Sequence, residues 1–290
     1  MKNMRMAGLL LLVLVGVQAA QHAEEWTGGG EAAARAPLAT PMRTVTAGMH
    51  QLRQGNLLLV DQLHPVDDDG RLTDIVNLFE HPELRHGYGL LDTKIMLSKR
   101  VAEKWQVLVD AAAKAGISHF VINSGYRDDA QQEELFEEKG SDYALPPGYS
   151  EHNLGLSMDV GSTAAEMNRA PEGKWLSNNA WKYGFVLRYP KDKTDITGIQ
   201  YEPWHFRYVG LPHSQLMHAH DWTLEEYLAA LKKQGAMTAK VDGVSYTVTY
   251  YPASDTADTA IRVPADGAYT VSGNNADGII VTTQSTAGTN

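Results

Sequence analysis

Two short segments carry residues with the types and spacing for hydrolytic chemistry. Ser150-Glu151-His152-Asn153-Leu154-Gly155-Leu156-Ser157-Met158-Asp159 sets a histidine and an aspartate seven positions apart. Glu202-Pro203-Trp204-His205 adds a second histidine and a further acid. A catalytic zinc takes three protein ligands and keeps one position open. His152, Asp159 and His205 supply three ligands, and one Zn2+ per chain is the cofactor they suit. Two neutral imidazoles and one carboxylate leave such a site positive, which lowers the pKa of water toward ~7. Glu202 is the acid left over, and it has the chemistry of a general base toward that water. Residues three apart in a regular strand face opposite ways. Glu202 and His205 therefore converge only if the chain turns at Pro203. On spacing alone a structural role stays open for each histidine, since the chain has eleven. The rival pair His218 and His220 has no nearby partner with a clear role.

The segments around these residues predict the elements that place them. Leu97, Val101, Trp105, Leu108 and Ala112 recur at helical spacing, which predicts a helix over 92–115 stopped by Gly116. His119–Asn123 reads as a buried strand, and Asp128 opens a helix that Gly140 ends. A short helix over 177–183 leads into a strand over 185–188. Trp204, Phe206 and Tyr208 alternate with His205, Arg207 and Val209, which is strand period. Thr223 and Glu226 form a capping box for a helix ending before Gly235. After Met237 the pattern changes to short strands, with Asp242-Gly243 as a hairpin turn. The predicted fold class is α+β: a mostly antiparallel central sheet flanked by helices, with a small all-β C-terminal appendage.

Thirty-five acids against 25 bases give the 290-residue chain a formal charge of −10, and it has no cysteine. The acid excess argues against a phosphate-neutralising nucleic-acid binder. The missing cysteines exclude disulfides, cysteine-ligated zinc and a thiol nucleophile. Lys2 and Arg5, the apolar run from Ala7 to Val17 and the small residues Ala19 and Ala20 have the order of a secretory leader. The expected organisation is a signal peptide or N-terminal anchor over 1–23, a flexible tether over 24–56, a catalytic domain over 57–238 and a β-rich domain over 239–290. An extracytoplasmic protein follows, either secreted or tethered to the membrane by its N-terminus, with a monomer favoured.

The pattern Ser-x-His-x-x-Gly-x-x-x-Asp followed by Glu-x-Trp-His resembles that of the zinc D-Ala-D-Ala peptidases of the M15 group. Asn123-Ser124-Gly125-Tyr126-Arg127, Tyr149–Asn153, Trp181–Phe185, Arg188-Tyr189-Pro190 and Glu202–His205 are similar to the carboxypeptidase branch, in particular VanY-type D-alanyl-D-alanine carboxypeptidases of vancomycin-resistance clusters. The resemblance runs from about Gly55 to the C-terminus and includes Ser272-Gly273-Asn274-Asn275. It implies an enzyme that removes the C-terminal D-Ala from peptidoglycan stem peptides ending in D-Ala-D-Ala. It also implies a part in glycopeptide resistance and indifference to β-lactams. Arg127 would face the scissile carbonyl or the terminal carboxylate, with a structural ion pair as its alternative. Gln132 would contact a substrate amide or carboxylate, with a solvated helix position as its alternative. Ser124 and Ser150 would donate to the substrate carboxylate. Tyr189 and Trp204 would wall the cleft, although core packing is equally open for Trp204. Ser157 stands where the family often has Ala, with little effect expected. The competing functions are a D-Ala-D-Ala dipeptidase of the same group and a non-catalytic wall-peptide binding module. Glu202 argues against the module. The export segment and Pro203, where dipeptidases tend to have an aromatic residue, argue against the dipeptidase.

Overall fold

A computed structural model describes residues 41–140 and 145–286. The expected leader or anchor over 1–23 and the first part of the expected tether lie outside the described residues. From residue 41 onward the expected tether is not open chain. Met42–Ala47 is a strand, β1, followed by a 3-10 turn over Met49–Arg53. The catalytic elements begin with β2 (Ile75–Asn77), β3 (Tyr88–Leu90) and β4 (Met96–Ser98). Helix α1 spans Lys99–Lys114, so it starts later than the periodicity predicts. Its N-cap is Ser98, whose side chain accepts from the Val101 N–H, and β4 just before it pairs with β2. A side-chain oxygen that satisfies an orphan N–H fixes a helix start more sharply than apolar spacing does.

Strand β5 (Phe120–Ser124) and helix α2 (Asp129–Lys139) follow as expected, with Asp128 and Gln131 closing a capping box. Next come β6 (Ser157–Ser162), α3 (Pro171–Asn179), β7 (Phe185–Leu187), the short α4 (Thr194–Thr197) and β8 (His205–Tyr208). Pro171 in the first turn of α3 starts that helix earlier than the expected 177. The central sheet has the order β3-β5-β6-β8-β7, parallel only between β3 and β5. Trp105 of α1 is fully buried on the sheet, edge-on to Phe120 at 5.9 Å and to Phe185 at 5.6 Å. Phe206, Ile122, Met158 and Val160 complete this core.

The register across the sheet matters most for chemistry. Ser124 on β5 lies opposite Asp159 on β6, and Asp159 lies opposite His205 on β8. Directly opposed residues share a face with Cβ atoms ~5 Å apart. A register irregularity between Ile122 and Ser124 brings Ser124 into that row.

Helix α5 (His213–His220), which the sequence reading did not foresee, and α6 (Leu224–Gln234), which it did, lead to the C-terminal strands. The expected capping box between Thr223 and Glu226 is present. β9 (Ala236–Val241), β10 (Val244–Pro252), β11 (Thr259–Pro264), β12 (Tyr269–Gly273) and β13 (Gly278–Thr286) follow. Four of them form an antiparallel sheet, β12-β13-β10-β9, while β11 pairs with β1. Residues Thr40–Asn290 cluster as one compact unit, so these strands form a layer of it. Leu224, Tyr227 and Leu231 of α6 pack with Val248 and Ile280, and Ala47 packs with Ile261, Val263 and Val281 on a further small core. Among the described residues no helix is long and apolar enough to cross a membrane.

Candidate active site

The first histidine is set by a tight turn. Glu151–Leu154 form a 3-10 turn that Ser150 caps, its hydroxyl accepting from the His152 N–H at 3.3 Å. Gly155 ends the turn at φ +82°, a conformation that side chains rarely adopt. His152 Nδ1 donates to the Gly125 carbonyl at 2.6 Å, which leaves Nε2 facing Asp159 Oδ1 at 3.4 Å. A Cβ on Gly125 would stand 2.1 Å from the Met96 carbonyl oxygen, so only glycine fits at the position whose own carbonyl accepts from His152.

The second histidine uses its other nitrogen. The Glu202 N–H donates to the Tyr189 carbonyl, and the His205 N–H donates back to the Glu202 carbonyl at 3.3 Å. This is the turn expected at Pro203. It brings Glu202 Oε2 within 3.4 Å of His205 Nδ1, which also lies 3.4 Å from Asp159 Oδ1. His205 Nε2 lies 3.3 Å from Glu151 Oε2. A carboxylate on one ring nitrogen fixes the tautomer and aims the other nitrogen.

Glu151 is a residue that the sequence reading missed. It is fully buried, with Oε1 accepting from Arg188 Nε (2.8 Å) and Arg207 Nη1 (2.6 Å). Its Oε2 also accepts from Ser157 Oγ at 2.9 Å. Ser157 is therefore not a neutral replacement of alanine, because it supplies a donor to a buried carboxylate. Burial alone would raise the Glu151 carboxyl, but Arg207 and Arg188 hold it well below the usual range. Arg188 is itself paired with both oxygens of Glu225. The available signal was the strand period, which puts Arg207 on the face of His205.

His152, Asp159 and His205 offer three ligand atoms within 4.8 Å of one another. Asp159 Oδ1 is buried and has no hydrogen-bond partner. An orphaned anionic oxygen between two imidazole nitrogens is what a bound cation would satisfy. Burial and the Arg127 charge lower the His152 imidazole, keeping it neutral as a ligand must be. At His205 burial is outweighed by Asp159 and Glu151, which push the imidazole up to about 9. Positive charge is thus favoured at the centre of this cluster. The donor set and its spacing fit zinc.

Arg127 stands beside the cluster, its Nη1 4.0 Å from Asp159 Oδ2. Three of the residues predicted as substrate contacts gather on it. Its Nε donates to Gln132 Oε1 (2.9 Å), Nη1 to Ser124 Oγ (2.6 Å) and Nη2 to Ser150 Oγ (3.5 Å). Gln132 is buried, and its amide also donates to the Leu145 carbonyl. It is thus not a solvated helix position, and it lines the cleft. Tyr189 packs against His205 with ring centroids 4.9 Å apart, and Trp204 is 41% exposed on the cleft rather than in the core. Burial raises the Glu202 carboxyl above its ordinary value, although His205 and Arg127 pull against that. The rival histidines lie elsewhere, His218 stacked on Trp181 and His220 on Trp222. The cleft encloses about 850 Å3 between these groups, Gln62 and the segment 198–202.

The family model for VanY, D-alanyl-D-alanine carboxypeptidase, matches residues 94–211, a span that holds the whole histidine–carboxylate cluster and Arg127. A D-alanyl-D-alanine carboxypeptidase from Enterococcus faecium is 55% identical over 243 residues, covering 84% of this chain and 79% of that protein. Among solved structures, the vancomycin resistance D,D-dipeptidase VanXYg in complex with a D-Ala-D-Ala phosphinate analog superposes with a TM-score of 0.73 at 30% identity, over 84% of this chain and all of that one. A variant of the vancomycin resistance D,D-pentapeptidase VanY from a VanB-type cassette, in complex with Zn(II), superposes with a TM-score of 0.50 at 30% identity, over 60% of this chain and 98% of that one. The chain belongs to the VanY D-alanyl-D-alanine carboxypeptidase family.

Proposed function

We propose that this protein is a zinc-dependent D-alanyl-D-alanine carboxypeptidase that removes the last residue of peptidoglycan stem peptides ending in D-Ala-D-Ala. It acts outside the cytoplasm, carried there by a leader or anchor over residues 1–23, and contributes to vancomycin resistance. The observation that carries this reading is the convergence of His152, Asp159, His205 and Glu202 around the orphaned Asp159 oxygen. His152 Nε2, His205 Nδ1 and an Asp159 oxygen would hold the zinc ion. Bound zinc supplies a Lewis acid for the scissile carbonyl and lowers the pKa of water.

The rest is the work of the chain. Glu202 takes the proton of the attacking water and returns it to the leaving amine. A carboxyl raised by burial is suited to both halves of that task. Arg127, held by Ser124, Gln132 and Ser150, presents its guanidinium to the terminal carboxylate or the carbonyl oxygen. Tyr189 and Trp204 wall the bound peptide.

Likeness to the D,D-dipeptidase VanXYg favours a second reading, hydrolysis of free D-Ala-D-Ala. The cleft is larger than two alanines fill, which supports the longer substrate. Incubation of the full chain with a five-residue stem peptide and, separately, with free D-Ala-D-Ala distinguishes them by product mass. Loss of one terminal D-Ala from the long peptide is the expected result. Cleavage of the dipeptide alone would favour the second reading, and cleavage of neither with zinc supplied would overturn both.

A further inference from the structure

A short turn at the cleft wall has no part in the chemistry described so far. Residues 61–64 form a closed loop in which the Asp61 N–H donates to the His64 carbonyl (3.3 Å) and the His64 N–H donates back (3.2 Å). Asp61 Oδ1 ties the tip by accepting from the N–H groups of Leu63 (2.8 Å) and His64 (3.0 Å) and lying 2.8 Å from His64 Nδ1. The turn thus satisfies its own polar groups. Its two tip side chains remain outward: Gln62 lines the cleft, and no hydrogen bond among the described residues uses it. Leu63 is 83% exposed, the most exposed of the large apolar side chains among the described residues. Leu63 is thus an apolar side chain held out on a turn whose neighbouring residue, Gln62, lines the cleft.

The turn is held from the C-terminal sheet. Asn275, in the connection between β12 and β13, is buried with a left-handed φ of 62°. Its amide nitrogen lies within reach of three carbonyls of this segment, Leu59 (2.9 Å), Pro65 (2.9 Å) and His64 (3.4 Å). The Leu59 N–H donates to the Asn274 carbonyl. On the far side the Val66 N–H donates to the Gly148 carbonyl, next to the cleft residues Leu145 and Ser150. Asn275 therefore links the last sheet of the chain to the cleft.

We infer that the Asp61–His64 turn is the subsite for the substrate peptide on the N-terminal side of its last two residues, contacted by Gln62 and Leu63, with Asn275 as its positioning residue. The inference rests on the carboxypeptidase reading and adds the peptide length that the enzyme prefers. The last two residues must occupy the zinc-ligand cluster and Arg127, where the bond is cut, so the remaining cleft wall faces what precedes them.

The test compares a five-residue stem peptide with acetyl-D-Ala-D-Ala as substrates of zinc-loaded full chain, Q62A/L63A and Asn275→Gly. Glycine keeps the left-handed backbone while removing the amide, and thermal melting confirms that each variant is folded. The expected result is a fall of about fivefold or more in the kcat/KM ratio of the long over the short substrate, arising in KM rather than kcat. The surface pair keeps the test decisive if Asn275→Gly unfolds. An unchanged ratio in Q62A/L63A, or a loss carried by kcat on both substrates alike, would overturn the inference. Failure of the unaltered protein to release D-Ala from either substrate would instead overturn the carboxypeptidase reading, and this inference with it.

Discussion

Glu202 and Glu151 touch the same imidazole from opposite sides and do different things. Glu202 lies beside His205 Nδ1 and is partly exposed, whereas Glu151 is buried against the ring at Nε2. Glu202→Ala is expected to keep zinc at one per chain, measured by metal analysis, while turnover drops about 10²–10⁴-fold, the range of a lost general base. Glu151→Gln should act through the metal instead. Zinc affinity, measured by competition with a chelating dye, should fall about 10–100-fold, as removal of a carboxylate behind a metal-bound histidine does. The same change leaves Arg188 and Arg207 less well compensated in the interior. The convergence of His152, Asp159 and His205, with Glu202 beside them, was legible because each chemistry allows few residue types at few spacings. The roles of Ser124, Gln132 and Ser150 were not, because whether a side chain meets substrate or Arg127 depends on distances across separate elements. Glu151 was hidden by adjacency to His152, since neighbours in a tight turn give no sign of which one is buried.

Among the elements, α5 ties the catalytic part to the C-terminal sheet through one buried histidine. His213 Nδ1 lies 2.8 Å from the Tyr227 hydroxyl on α6, and Nε2 lies 3.2 Å from Thr282 Oγ1 on β13. Burial lowers its imidazole from the ordinary value to about 3. Between that value and the usual ~6.5 the unfolded chain binds a proton that the folded chain does not. Stability from this group is intact above about pH 6.5 and is lost as pH falls toward about 3. His213→Gln should therefore narrow the gap in melting temperature between pH 7.5 and pH 5, measured by calorimetry, while lowering stability at neutral pH. An unchanged gap would remove His213 from the acid response. The two helices with capping boxes were legible: Asp128 and Thr223 are N-caps where the sequence put helix starts. The start of α1 was not, because apolar spacing continues through β4, whose pairing with β2 depends on chain far from the helix. Helix α5 escaped for a similar reason, since its cap is Pro212 and has no side-chain acceptor to announce it.

Over the whole molecule, the strands after residue 236 are more than an appendage. They bury the apolar face of α6, and β11 takes β1 as its partner, Met42 opposite Pro264 and Ala47 opposite Thr259. A strand whose partner lies at the other end of the chain has little local signal, which is why residues 42–53 read as tether. The alternation from Val244 to Tyr250 and the Asp242-Gly243 turn were local, and both are present. The acid excess is met at the cleft by Arg127 and by the positive charge that the ligand cluster favours. Metal-dependent release of D-Ala is therefore the claim on which the rest stands. The most direct measurement strips the full chain with a chelator, adds zinc back in known ratio and follows D-Ala released from a five-residue stem peptide. Activity that is absent after stripping and returns in proportion to zinc, saturating at one ion per chain, is the predicted result. Full activity in the stripped protein, or none at any zinc ratio, would contradict it.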